Sequence, residues 1–278
     1  FIHLNSPCDQ LAFGMTAGTT FSDILTSIVR GWHARKIDEP VLTLALPIKG
    51  VDPLYKLPLL AGIEQFRFLW DGAPGRCIAA AGKCQSLELS GPKRFELAQR
   101  FSDVAFGRLI DVTSKTPAYA CPRILLLFSF FEQTSERQRS QGVLPAVQAV
   151  LPRWQLSRQG GEGWLRLTAV ATHEAEAREL VEKLWLTRER LTQTSKETEM
   201  QFMNVGSGLT FPQKWQDCYR PALARGIDLV NRGILDKLVL AVRQSIQLRA
   251  PLDPLAMLDC LREQQPGSCR FLWQRNQQ

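Results

Sequence analysis

KWQDCYRPALARGIDLVNRGILDKLVLAVRQSIQLRA, residues 214–250, is the stretch on which the fold turns. Trp215, Tyr219, Leu223 and Ile227 recur at i, i+4 steps and Val230 follows. This predicts a helix over 212–231 that stops at Gly233. From 233 to 250 the period changes to two, which predicts a strand. Asp236, Leu238, Leu240, Val242, Ile246 and Leu248 share one face, mostly apolar, with Asp236 and Gln244 as exceptions. Lys237, Val239, Ala241, Arg243, Ser245 and Gln247 form the other, polar or small. One face on a core and the other on water, or on a cleft, gives this pattern. The pattern does not say which.

Working outward, Phe21–His33 has helical spacing in Ile24, Leu25, Ile28 and Val29, and EPVLTLALPI (39–48) reads as a strand. EQFRFLW, RCIAAAG and SLELSG follow as short strands separated by the turn-rich DGAPG and GKCQ. Ser90 and Gly91 introduce a helix with Pro92 in its first turn and a stripe of Phe95, Ala98, Phe101 or Ser102, Ala105 and Leu109. RILLLFSFF, VLPAVQAVLPRWQLSR (interrupted by prolines) and GWLRLTAVAT predict three more strands. The polar EQTSERQRSQG between the first two is a surface loop. A helix runs from Glu174 to about Ser195, with Ala177, Leu180, Val181, Leu184, Trp185, Arg188 and Leu191 on one side. TSKETEMQFMNVGSG (194–208) is the linker candidate. After the opening stretch come a helix from Asp253 to about Gln264 and a strand, SCRFLWQR, for which no partner is evident, so the sheet is expected to continue beyond Gln278. Antiparallel-looking strands mixed with helices argue for an α+β fold rather than a doubly wound one.

The 278 residues allow one large domain or two smaller ones. No apolar run approaches the roughly 20 residues that span a bilayer, and no signal peptide is seen. The start at Phe1 suggests a processed, trimmed or incomplete chain. Seven scattered cysteines without CxxC spacing, and three scattered histidines, argue against zinc and for reduced thiols in the cytoplasm. The net charge of +7 suits an anionic small molecule. Basic residues interspersed with acids, and no aromatic RNA signature, argue against nucleic acid. The sequence leaves the oligomeric state open.

GAPG and GSG lack the frames of phosphate-binding loops and are turns. No GxSxG nucleophile elbow occurs, and His173 is a helix-start residue. Lys237 remains. A solvated strand lysine is the commoner case. An amine in a cleft could instead lose solvation and act as a base near neutral pH. The tight entry NRGIL and the small neighbours Val239 and Ala241 keep that alternative open.

The succession KWQDCYRPALARGIDLVNRGILDKLVLA resembles the helix-to-strand passage of chorismate-utilising enzymes, with G.L.KLVLA its most specific part. FRFLWDGAPGRCIAAAG, SGPKRF, VLPRWQLSR and QPGSCRFLW are similar to other parts of the same family, isochorismate synthases of the menaquinone or phylloquinone branch in particular. PIKG (47–50) resembles a lysine motif found late in some of these chains. Here it lies near the front with Val51 in the threonine position, and it is read as a strand-end lysine before a turn glycine.

The resemblance implies an anthranilate synthase component I-like fold, incomplete at the C-terminus, with residues 1–200 an N-terminal α+β region and 201–278 the start of the chorismate-binding catalytic region. It also implies that Lys237 is the general base activating water for attack at C2 of chorismate while the C4 hydroxyl leaves, with Mg2+ on the substrate carboxylate. The glutamic acid and the Mg2+ ligands are expected in a C-terminal part that this chain lacks, so the chain alone should be inactive. Ammonia-adding relatives usually carry glutamine in place of this lysine, which favours the water-adding branch. The alternatives are a salicylate or anthranilate synthase large subunit, or a non-catalytic binding or folding module.

Overall fold

Helix α1 (Phe21–His33) begins at a reciprocal cap: the Thr20 hydroxyl accepts from the Asp23 amide at 3.3 Å, and the Asp23 carboxylate accepts from the Thr20 amide at 2.9 Å. The structure, a computed structural model, describes residues 20–34, 39–61, 65–72, 75–113, 116–130, 132, 145–193, 214–241 and 252–275. The polar loop from 133, the linker 194–208 and residues 242–250 of the expected strand lie outside these. The chain divides into two units, Phe1–Glu199 with Leu258–Gln278, and Met200–Met257.

The first unit is built on one sheet of β1 (Val41–Lys49), β2 (Arg67–Gly72), β3 (Arg76–Leu89), β4 (Leu109–Asp111), β5 (Leu125–Phe128), β6 (Val147–Gln159), β7 (Glu162–Val170) and β8 (Arg270–Gln274). Its order is β4-β1-β7-β6-β3-β2-β8, with β5 beside β6. Only the β1–β4 pair is parallel among the described residues. The other helices are α2 (Pro53–Leu60), α3 (Arg94–Gly107), α4 (Glu174–Gln193), α5 (Lys214–Asn231) and α6 (Pro254–Gln264). α1 and α4 pack on each other and on β1, while α2 and α3 cover β3 and β6. The α4 stripe is as expected at Ala177, Leu180, Val181, Leu184 and Leu191, all buried.

Four expectations are corrected. RCIAAAG and SLELSG form the single strand β3, because GKCQ is a bulge, not a turn. Gly82 takes a φ of +66° and the register shifts between Lys83 and Gln85. Lys83 stands opposite Pro152, which has no N–H to give the ladder, so the proline sits where pairing is already broken. Second, α3 buries Arg94, Ala98, Ser102 and Ala105; Phe95 is 56% exposed and stacks on Phe128, and Leu109 belongs to β4. Third, the last strand does have a partner in the chain: β8 runs antiparallel to β2, Asp71 opposite Arg270 through Arg67 opposite Gln274. A pairing across about two hundred residues leaves no local sign. Fourth, α2 was not foreseen, since Pro53, Pro58 and eight residues give no period. It is started by Asp52, whose carboxylate accepts from the Leu54 amide at 3.0 Å.

Two buried ion networks hold this sheet. Arg166 on β7, 1% exposed, donates to Asp111 at 2.9 Å, to Thr43 at 3.0 Å and to the Ala120 carbonyl at 3.0 Å. At the other edge Asp71 accepts from Arg262 at 2.9 Å and from Arg270 at 3.1 and 3.2 Å. Asp52 accepts from Arg158 at 2.7 Å and Arg262 at 3.0 Å. Opposition by burial does not prevent Asp52 and Asp71 from holding the Arg262 guanidinium firmly protonated.

Tyr55 joins this cluster through its hydroxyl, which donates to Asp259 at 2.8 Å. Burial, then the Asp259 carboxylate, pushes its phenol from the ordinary 10.0 up to about 12. Burial likewise lifts the Cys84 thiol from 9.0 to about 11. In both cases the unfolded chain loses its proton first, so unfolding releases protons and stability falls as pH rises through these values. The urea midpoint should be level below about pH 9 and decline towards about pH 12. Tyr55→Phe should flatten the upper part of that decline; an unchanged slope would contradict the assigned shift.

Candidate active site

In the Met200–Met257 unit, α5 closes on Gly233, whose φ of +67° lets the chain reverse. The amides of Gly233 and Ile234 donate back to the carbonyls of Val230 and Leu229, each at 3.0 Å, and Leu235 also bonds Leu229. This is the tight entry expected from NRGIL. Beyond it, residues 235–241 have no ladder partner among the described residues and are not a strand, which corrects the expectation for that part. A strand needs a neighbour to exchange hydrogen bonds with, and periodicity cannot supply one.

The two expected faces separate only in part, since Asp236 and Leu238 of the leucine face are exposed like Lys237. Leu238 and Leu240 turn towards α5 and, with Leu223, Gly226, Ile227 and Val230, line a groove of about 340 Å³. Lys237 and Ala241 are exposed and Val239 is 77% exposed. Gly226 allows the approach: a β-carbon there would lie 2.5 Å from Leu238 Cδ2. Lys237 makes no hydrogen bond or ion pair among the described residues. Its face, which the sequence left between water and cleft, is open to water here, and the concavity belongs to the leucine face.

Other sequence candidates keep their bland roles. Lys49 ends β1, reaches Glu162 at 3.3 Å and is followed by Gly50 with a φ of +67°. The His173 amide donates to the Glu176 carboxylate at 3.4 Å at the head of α4. The polar cluster that the sequence did not reveal, Asp52, Asp71, Arg158, Arg262 and Arg270, is tied together by ion pairs, with only the Arg158 Nε of its buried side-chain nitrogens lacking a hydrogen-bond partner among the described residues. No signal short of knowing the β2–β8 pairing could have found it. Among the described residues no three or more His, Cys, Asp or Glu side chains are grouped to hold a metal ion.

The family described as chorismate binding enzyme matches residues 27–278. The chain belongs to the chorismate binding enzyme family. No curated protein matches significantly. Among solved structures with a similar fold is MenF, the menaquinone-specific isochorismate synthase from Escherichia coli, 19% identical with a TM-score of 0.50. That likeness covers 91% of this chain and 53% of the MenF chain, so the chain spans about half the length of this solved relative. The fold is thus the α+β chorismate-utilising fold, anthranilate synthase component I-like. No described helix is long and apolar enough to cross a membrane.

Proposed function

We propose that the chain contributes the base-bearing part of an isochorismate synthase acting on chorismate, with Lys237 drawing a proton from the water that adds at C2 while the C4 hydroxyl departs. The observation that carries the reading is the setting of Lys237 in a chorismate binding enzyme. It lies in the segment directly after a glycine-closed helix, exposed and outside the groove that the leucines line. Leu238 and Leu240, which follow it, line the groove, so the amine is left to face whatever binds the other side. MenF's activity supports the water-adding branch by likeness of fold.

An alkyl amine in open water holds its proton at neutral pH and is a poor base; withdrawn from water it can serve as one. The reading therefore requires that the Lys237 face be covered when the substrate is bound. The chain alone is accordingly proposed to be inactive, with the proton donor and the Mg2+ ligands supplied by the part of the fold that MenF has and this chain does not span. Free thiols at Cys77, Cys84, Cys260 and Cys269 support a reducing, cytoplasmic setting.

The test is chorismate turnover with Mg2+, by the chain alone and mixed with a polypeptide carrying the remaining part of the MenF fold. Isochorismate from the mixture only is the expected result. Salicylate, or anthranilate when ammonium is present, would move the chain to another branch. Neither turnover nor chorismate binding in the mixture would leave a non-catalytic module.

A further inference from the structure

We propose that Gly226 is a positioning residue for Lys237: the notch it leaves in α5 seats Leu238 and thereby turns the preceding lysine to the opposite side of the chain. The proposal rests on the reading of Lys237 as the base. Its ground is the mismatch between what the helix prefers and what occupies it. Gly226 lies in the interior of an 18-residue helix, where alanine is the better helix former, and it is buried on a helix whose described neighbours are largely exposed.

Packing supplies the reason that helix propensity does not. A β-carbon at 226 would stand 2.5 Å from Leu238 Cδ2, far inside contact distance, but 3.7 Å from Leu238 Cγ, an ordinary contact. The notch is thus matched to the methyl end of Leu238. In an extended chain successive side chains point to opposite sides. Leu238, 42% exposed but seated at the notch, and Leu240 line the groove, while Lys237 and Val239 do not and are exposed. A slip by one residue would exchange the two sets and press the lysine against α5. Among the described residues, the seat of Leu238 against Gly226 is the contact that can hold that register.

Size at 226 should grade the effect. With alanine, the flexible end of Leu238 can rotate aside; with valine, two further methyls fill the notch and evict it. Two measurements separate positioning from stability. The first, on the chain itself, is the rate of trace acetylation of Lys237 by acetic anhydride relative to Lys49, an exposed internal reference, followed from about pH 7 to about pH 11. Gly226→Val should change that ratio by about threefold or more, and Leu238→Ala should change it in the same direction. The second is isochorismate formation in the mixture described above. There Gly226→Val should lower kcat about tenfold with KM little altered, the pattern of a misplaced catalytic group rather than lost substrate binding.

Gly226→Ala provides the check against simple misfolding. It should hold or raise the urea midpoint, because the helix prefers alanine, while lowering kcat. Combining it with Leu238→Val, which removes the methyl end that clashes, should restore kcat. An unchanged acetylation ratio together with an unchanged kcat in Gly226→Val would overturn the proposal. Retention of turnover by Lys237→Ala would overturn the base reading instead, while a ratio that still responds to Gly226→Val would uphold the notch as what orients the lysine.

Discussion

Asp71→Ala is expected to lower the unfolding free energy by about 3–5 kcal/mol, read from urea denaturation, because it strands a buried cation. Asp71 is 6% exposed and one of its oxygens accepts from both Arg262 and Arg270. Arg262 would keep Asp52 as a partner, at 3.0 Å. Arg270, 7% exposed, would keep only the Gln265 carbonyl at 2.7 Å and the Ser268 hydroxyl at 3.3 Å among the described residues. Those neutral acceptors do not compensate a guanidinium withdrawn from water. Against a typical total of about 5–15 kcal/mol the loss is large. It should also be local at first, since β8 is the last strand in the sheet order and is joined to the rest through β2. Amide exchange at 270–274 should therefore accelerate before that of β6 or β7. A loss under about 1 kcal/mol would mean that the pair behaves as a solvated surface contact, and the buried network would lose its role.

How much of this was legible in the sequence depended on whether the deciding interaction was local. The caps of α1 and α4, the α4 stripe and the stop of α5 at Gly233 are written within a few residues of where they act. The placing of Leu238 and Leu240 together on one side is legible in the same way, from the alternation of the segment. What needed a distant partner was not legible. The β2–β8 pairing, the Asp71–Arg270 contact and the placing of Arg166 beside Asp111 join residues far apart in the chain. Arg94, which the sequence did not single out, is buried at the start of α3, donating to the Phe130 carbonyl at 3.2 Å beneath the exposed Phe95 ring.

The candidate site divides along the same line. The lysine and its place after the helix could be picked out from the residues, and the family match over 27–278 agrees with the resemblance that singled it out. Gly226 could not. A glycine inside a helical pattern reads as a small penalty until its contact with Leu238 is seen. Whether the Lys237 face meets water or a wall was also beyond the sequence, because the covering surface is not encoded in the segment that it covers.

Lys237→Ala is expected to lower kcat for isochorismate formation by about 10²–10⁴-fold in the complemented mixture, the range that a positioned general base contributes. Lys237→Arg should fare no better, since a guanidinium keeps its charge and cannot accept the proton. Both variants should leave the unfolding free energy of the chain within about 0.5 kcal/mol of the parent, because the side chain is exposed and without a described partner. The acetylation of Lys237 should be fast in the chain alone and slow once the remaining part of the fold is added, with Lys49 unaffected. The two results depend on one another: an amine that stays open to water in the working mixture has no means of shedding its proton near neutral pH. Protection without loss of turnover in Lys237→Ala would make the lysine a buried bystander, and loss of turnover without protection would make it a substrate-binding cation rather than a base.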